Sequence, residues 1–292
     1  MKITLTGSLG NIGKPLATQL ISAGHVVTII SSNEQKKTAI QALGGIPAIG
    51  NIQDVDFLTA TFKGADVVYT MIPPDFSVSD YRAYSASLGQ LYAQGIQQAG
   101  VKNVVNISSM GAHLKEGTGL TIGSYEMETA LNKIPDVHIK HMRLPYIFTN
   151  LYGNISMIRH MGFIGANYDK DTRLVMVHPE DIADAVTQAI QTPFTLPHHI
   201  IYVVSDDRTM AEVATALGNA IGQPDLQWVV FTDEQALAGI MQSGIREEIA
   251  RLLVEVGIAV RTGILWMPYG KKEGTRSLQT FADEFATRYQ KN

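Results

Sequence analysis

No cysteine occurs among the 292 residues. Disulfides, a thiol nucleophile and thiolate-held metals are thereby excluded, and the redox compartment stays open. Charge is also sparse: Asp, Glu, Lys and Arg make up 17% of the chain, the net charge is −4, and no basic cluster exceeds the pairs Lys36-Lys37 and Lys271-Lys272. The electrostatic footprint of phosphate-backbone binding is missing, so nucleic acid is not expected as a direct ligand. No stretch approaches ~18 uninterrupted apolar residues, the length a membrane span needs. No apolar N-terminal run precedes a small-residue cleavage site either, so neither a membrane span nor a signal peptide is expected and a cytoplasmic location is the default.

What is present is alternation. Short β-branched runs at Lys2 to Thr6, His25 to Ile30, Ile46 to Ile49, Asp66 to Met71, Asn103 to Ser108 and His138 to Arg143 are separated by segments of helical period. That pattern reads as βα units around a parallel sheet, an α/β doubly wound Rossmann arrangement. Beyond about residue 150 the character changes. Strands are expected at Arg173 to Val177, His199 to Val204 and Gln227 to Phe231, and helices at Pro179 to Ile190, Met210 to Ile221, Asp233 to Ser243, Arg246 to Val256 and Leu278 to Tyr289. The expected division is a dinucleotide-binding domain over 1–150 and a smaller, mainly helical lobe over 151–292, with 173–204 returning to the sheet.

Between the first strand and first helix stands Gly7-Ser-Leu-Gly10-Asn-Ile-Gly13. In that context each glycine has a physical reason. Gly7 permits the tight turn, Gly10 removes a Cβ where pyrophosphate approaches the backbone, and Gly13 lets the helix pack closely on the sheet. Leu9, Asn11 and Ile12 complete the turn, and the helix N-terminus is expected to hold the anion. Cofactor choice is read at the end of the second strand, where an acidic residue would bind a ribose 2′-hydroxyl. Ser31, Ser32, Asn33 and Lys36 stand there instead, groups suited to a 2′-phosphate. NADP is therefore favoured, with NAD as the alternative because Glu34 is close by.

Several motifs then form an ordered series: the glycine turn, Ala65-Asp-Val-Val-Tyr-Thr-Met-Ile-Pro-Pro74, Val104-Val-Asn-Ile-Ser-Ser109, Met142-Arg-Leu-Pro145 with Phe148 and Asn150, His178-Pro-Glu-Asp-Ile-Ala183, and a strand-turn-helix over 201–222. Together these resemble the NmrA-like family of atypical short-chain dehydrogenase/reductases. The resemblance implies a Rossmann fold with a C-terminal substrate lobe and NADP(H) as ligand. Met71, Ile72 and Pro73 are then expected beside the cofactor, with Ser108. Members of the family divide into reductases of quinones or related conjugated substrates and non-catalytic dinucleotide sensors that regulate a protein partner.

Enzymes of the wider superfamily use a Tyr with a Lys four residues on, because that spacing puts both groups on one helix face and the ammonium eases proton transfer. Here Tyr125 is followed at that spacing by Thr129, and Ser124 stands four residues before Glu128, where many relatives carry a lysine. Tyr125 is a candidate acid and Ser109 a candidate catalytic hydroxyl, while His113 is a candidate proton donor. A quinone needs little acid help, since the phenolate formed after hydride delivery can be protonated by water. The protein must then supply position, through a flat apolar slot. Met110, Tyr146 and Phe148 are the expected substrate contacts, with Tyr152, Met157 and Phe163 nearby. His198 and His199 lack a carboxylate at ligand spacing, so no metal is expected. The reading is an NADP(H)-dependent oxidoreductase acting on a quinone-like small molecule, as monomer or homodimer; the alternative is a dinucleotide-binding sensor.

Overall fold

A computed structural model describes residues 1–266 and 274–291 of the chain. Lys271 and Lys272 lie outside the described residues. The chain runs through β1 (Lys2–Leu5), α1 (Gly13–Ser22), β2 (Val26–Ser31), α2 (Lys36–Ala42), β3 (Ile46–Ile49), α3 (Val55–Phe62), β4 (Val67–Thr70), α4 (Tyr81–Ala99), β5 (Asn103–Ser109), α5 (Ile122–Leu131) and β6 (His138–Leu144). It continues with β7 (Tyr146–Ile147), α6 (Ile155–Met161), β8 (Phe163–Ala166), β9 (Arg173–Val177), α7 (Pro179–Gln191) and β10 (His198–Tyr202). Last come β11 (Asp206–Thr209), α8 (Met210–Ala220), β12 (Gln227–Val230), α9 (Asp233–Gln242), α10 (Glu247–Thr262) and α11 (Leu278–Lys291).

Among the described residues, a parallel sheet has the order β10-β6-β5-β4-β1-β2-β3. This is the doubly wound order with one strand added at the β6 edge. The strands are short and β-branched, and both faces are covered, as a parallel sheet requires. One face packs Leu16 and Leu20 of α1 with Ile182 and Val186 of α7. The other packs Leu58 and Phe62 of α3, Leu88, Tyr92 and Ile96 of α4, and Met127 and Leu131 of α5. Local signals set the helix starts. Asp54 accepts hydrogen bonds from the N–H groups of Asp56 and Phe57, and Pro179 opens α7 behind a His178 side chain that accepts from Glu180. Thr209 with Glu212 and Thr232 with Gln235 form capping boxes for α8 and α9. The left-handed Gly100 ends α4.

Of the segment 173–204, β10 pairs with β6 in the main sheet. β9 does not join it: β9 is the centre of a separate small sheet ordered β11-β9-β7, and β12 pairs with β8 in a third. The stretch Asn150 to Gly165 shows no strand alternation because most of it is helical, a 3-10 turn running into α6, with β8 beginning only at Phe163. The C-terminal helices bury their own core, with Phe148, Leu151, Met210, Leu217, Phe281 and Phe285 at its centre. No described helix is long and apolar enough to cross a membrane.

Candidate functional site

The turn after β1 carries its chain reversal on two left-handed residues, Gly7 (φ +85°) and Ser8 (φ +55°). A Cβ on Gly7 would stand 3.0 Å from the Met71 side chain, so the turn and the end of β4 lie in contact. Ser8 N–H donates to the Ile30 carbonyl at 3.1 Å, fastening the turn to β2. At Gly13 the reason for glycine differs from the expected helix-to-sheet packing. A Cβ there would run into the carbonyl of Ser8, within the turn itself. Gly10 is exposed, and its nearest neighbour in the Cβ direction is the Gly7 carbonyl at an ordinary 3.5 Å. Beside it Asn11 is exposed, while Leu9 and Ile12 lean on the first core. No side chain caps α1. In its first turn the Lys14 N–H already bonds the Gly10 carbonyl (3.0 Å), the Leu16 N–H bonds the Ile12 carbonyl (3.1 Å) and Pro15 has no N–H, so what the helix start offers an anion is its glycine-walled turn and the positive end of its dipole.

At the end of β2, Ser31 is buried and already engaged. Its hydroxyl bonds Ser8 Oγ at 3.1 Å and accepts the Asn33 N–H at 3.2 Å. Ser31 is therefore a brace between the turn and β2, and the exposed groups at this strand end are Ser32, Asn33 and Lys36. The neighbouring Glu34 pairs with Lys37 at 3.4 Å. Met71, Ile72 and Pro73 form the half-buried link after β4. Tyr92 and Tyr84 donate to the carbonyls of Met71 (3.2 Å) and Pro73 (2.9 Å), which fixes that link to α4.

The ends of β5 and β6 hold a network the sequence reading did not assemble. Ser108 donates to Glu128 at 2.5 Å. Glu128 takes two hydrogen bonds from Arg143, at 2.9 and 2.7 Å, and both side chains are only 7% exposed. Ser108, expected beside the cofactor, thus belongs to a buried ion-pair network with Glu128 and Arg143. The adjacent Ser109 is bonded to Ser124 at 3.1 Å. One face of α5 therefore offers Ser124 and Glu128 to two consecutive serines of β5, and the position of the expected lysine is filled by a hydroxyl. Tyr125, one residue on, is half-buried on the same helix. His113 follows in an exposed turn closed by Ala112 N–H to the Ser109 carbonyl (3.0 Å). Burial first, then the Arg143 charge, hold its imidazole below the usual histidine range against an opposing pull from Glu128.

Beneath these groups a polar line crosses the sheet. Thr70 donates to Asn106 Oδ1 at 3.0 Å, the Asn106 amide stands 3.1 Å from His141 Nδ1, and His141 Nε2 stands 2.9 Å from Asn132 Oδ1. Donor matching along that line requires Nδ1 to accept and Nε2–H to donate, so the ring is neutral. Burial, with Arg143 and His198 adding to it against Glu128, pushes the His141 pKa down to about 4.

The expected aromatic slot is not open. Phe148, expected as a substrate contact, is fully buried and stacks on Phe281 with ring centroids 5.1 Å apart. Tyr152 lies against Phe281 and Phe285, and Phe163 against Phe231. Tyr146 is half-buried against the same core, with burial and Tyr168 raising its phenol above the usual range. The sequence offered no signal that α11, more than 120 residues away, would cover these rings. Met110 keeps a different place, in a small apolar cluster with Val175 and Val204 that packs against Tyr202 and Trp266. Tyr202 in turn receives Arg143 Nη1 at 3.4 Å. A cavity of about 540 Å³ lies elsewhere, between α7 and the β10 edge, and contains no residue of the glycine turn.

NADPH-dependent quinone oxidoreductase QOR2 of Escherichia coli, solved with NADPH, superposes with a TM-score of 0.82 at 19% identity, over 97% of this chain and 99% of that one. Triphenylmethane reductase of Citrobacter sp., solved with NADP(H), gives 0.80 at 16% identity over 98% and 100%. At these identities the likeness is one of fold. An uncharacterized Schizosaccharomyces pombe protein is 37% identical over 79 residues, 27% of each chain. A Dictyostelium discoideum sterol-4-alpha-carboxylate 3-dehydrogenase is 29% identical over 108 residues, 37% of this chain and 31% of that one. The matches thus span about a quarter to a third of the length of these curated relatives. The NmrA-like family model matches residues 1–264, and the chain belongs to the NmrA-like family.

Proposed function

We propose that this protein is an NADP(H)-dependent oxidoreductase that delivers hydride to a quinone or a similar flat conjugated acceptor. The observation that carries the reading is the uncapped glycine turn of β1 and α1 in contact with Met71 at the end of β4. The turn suits a pyrophosphate: Gly10 is exposed, α1 has no side-chain cap, and a helix N-terminus favours negative charge. Ser32, Asn33 and Lys36 fit a 2′-phosphate, and Lys37 occupies the one nearby carboxylate, Glu34. Bound there, NADPH supplies the hydride.

The chain's own residues do the positioning. Tyr84 and Tyr92 hold the Met71 to Pro73 link as one wall. The Ser109–Ser124 hydroxyl pair and Met110 form the other, braced from below by Glu128 and Arg143. With no ammonium on α5 to assist a tyrosine, an acceptor whose reduced oxygen water can protonate suits this site better than an ordinary ketone. The quinone oxidoreductase and dye reductase likenesses support the same class.

The test is NADPH consumption with a panel of quinones beside dinucleotide binding by fluorescence. Turnover of a quinone with NADPH preferred over NADH is the expected result. The serine in place of the lysine also favours a second reading, a sensor that binds NADP(H) and regulates a protein partner. Tight dinucleotide binding without turnover of any acceptor selects that one.

A further inference from the structure

The main sheet ends in two edges that this chain treats differently. At one, the Gly50 N–H following β3 donates to the Ser31 carbonyl of β2 at 3.0 Å, so by the alternation of a parallel ladder the main chain of Pro47 points outward. A proline there removes an outward donor and blunts the edge. At the other, β10 pairs with β6 alone among the described residues. The Pro197 carbonyl accepts from Ile139 (2.8 Å) and the Val203 N–H donates to the Arg143 carbonyl (3.4 Å), which turns the main-chain groups of His198, Ile200 and Tyr202 outward. His198-His-Ile-Ile-Tyr202 contains no proline, lysine or acid to guard that edge, and Ile200 is 43% exposed.

Helix α7 overhangs this edge, and the cavity of about 540 Å³ lies between them. Asp181, Asp184, Gln188 and Thr192, spaced three and four apart on one face of α7, line one side; His199 and Ile201 of β10 line the other. The space is thus shaped for a further strand, beside an unpaired main chain and beneath a helix. The chain itself uses this edge once, just past β10, where the Gly274 N–H donates to the Val204 carbonyl at 2.6 Å.

Charge selects the occupant. At the Val204 end, Glu180, Asp181 and Asp184 all meet the single guanidinium of Arg276, at 2.8, 2.5 and 2.8 Å, which leaves an excess of negative charge. Glu180 and Asp184 are half exposed and open to a second cation. At the opposite end the Lys140 ammonium is already engaged by the carbonyls of Ala189 and Thr192 and lies over the Phe194 ring.

We infer that the open edge of β10 beneath α7 is a docking groove for an extended basic segment of a partner protein. The segment adds to the main sheet as a strand, bonding the outward groups of Ile200 and setting a Lys or Arg side chain by Glu180 and Asp184. This goes beyond the oxidoreductase reading and requires neither dinucleotide nor turnover.

The experiment titrates the full-length protein into three fluorescein-labelled peptides, KVTVTVK, its proline-interrupted form KVTPTVK and its acidic form EVTVTVE, and follows anisotropy. Saturable binding of KVTVTVK, weakened by salt, is expected. The other two should bind about tenfold more weakly or not at all, since one loses strand hydrogen bonds and the other meets like charge. Asp184→Asn should weaken KVTVTVK binding about two- to fivefold. Ile200→Pro removes an outward donor without taking a bond from β6, so it should abolish peptide binding while the thermal midpoint and NADPH affinity stay as in wild type. Should that variant fail to fold, the proline-interrupted peptide against wild type decides. No saturable binding of KVTVTVK, or equal binding of all three peptides, overturns the inference and leaves the oxidoreductase reading untouched. A wild-type dimer in sedimentation that Ile200→Pro converts to monomer, with no peptide bound, gives the edge to a second copy of this chain and likewise overturns it.

Discussion

Glu128 and Arg143 meet through two parallel hydrogen bonds of 2.9 and 2.7 Å, with both side chains shielded from water and Ser108 donating to the same carboxylate. The pair ties α5 to β6 at the end of the sheet where the glycine turn opens. A buried bidentate pair is costly to break one side at a time, because the remaining charge is stranded. Glu128→Gln should therefore destabilise the fold by about 3–5 kcal/mol, read from urea unfolding midpoints. The double variant Glu128→Gln with Arg143→Met should recover much of that loss. A loss in the double variant equal to the sum of the two single losses would show that the pair is not coupled.

Gly10 and Gly13 should separate binding from folding. A side chain at Gly13 collides with the Ser8 carbonyl, so Gly13→Ala should lower stability by about 1–3 kcal/mol through overpacking. At Gly10 the Cβ direction is free of close contacts, so Gly10→Val should keep the thermal midpoint. It should lower NADPH affinity at least tenfold by obstructing the anion's approach to the backbone. Unchanged affinity in Gly10→Val would place the phosphates elsewhere.

His141 makes stability depend on pH. Its folded pKa is about 4 against an ordinary 6.5, so between those values the unfolded chain takes up a proton that the folded chain refuses. The stabilisation is fully present above pH 6.5 and is lost as pH falls toward 4. From pH 7 to pH 5 this histidine should cost about 2 kcal/mol of stability. Urea unfolding at the two pH values measures the loss, and His141→Gln should remove that part of it.

Asp181 fastens the C-terminal helix. Its carboxylate accepts from Ser205 Oγ (2.5 Å), Thr275 Oγ1 (3.2 Å), the Arg276 N–H (3.1 Å) and the Arg276 guanidinium (2.5 Å). Burial alone would raise its pKa, but the Ser205 and Arg276 hydrogen bonds outweigh that and hold it below the ordinary carboxylate value. The contribution is present above the ordinary carboxylate range and lost as pH falls through the lowered one. Asp181→Asn should lower stability by about 2–4 kcal/mol and expose the segment before α11 to limited proteolysis at neutral pH. Protease resistance equal to wild type would mean that the Asp181 contacts do not hold the segment before α11.

Much of the Rossmann half could be read from the chain because its signals are local. The β-branched runs fall within a residue or two of β1 to β6, and Asp54, Pro179 and the Gly7 to Gly13 spacing mark helix starts through neighbours one to four residues away. The motifs that follow β1, β4, β5 and β6 likewise sit at strand ends that a βα alternation places on one side of the sheet, whereas His178-Pro-Glu-Asp follows β9 in the separate small sheet. The short strands β7, β8 and β11 were not legible, since two to four residues carry too little period to stand out.

The sequence by itself determined the parallel sheet, the glycine turn after β1 and the lack of a lysine on α5, since each depends on spacing along a few residues. Only the tertiary structure decided what each polar or aromatic group faces. It turned Ser108 toward Glu128 and Arg143 and drew Phe148 under Phe281. Those outcomes depend on which distant elements pack together, and the free energy of that packing is set by shape and burial over the whole fold.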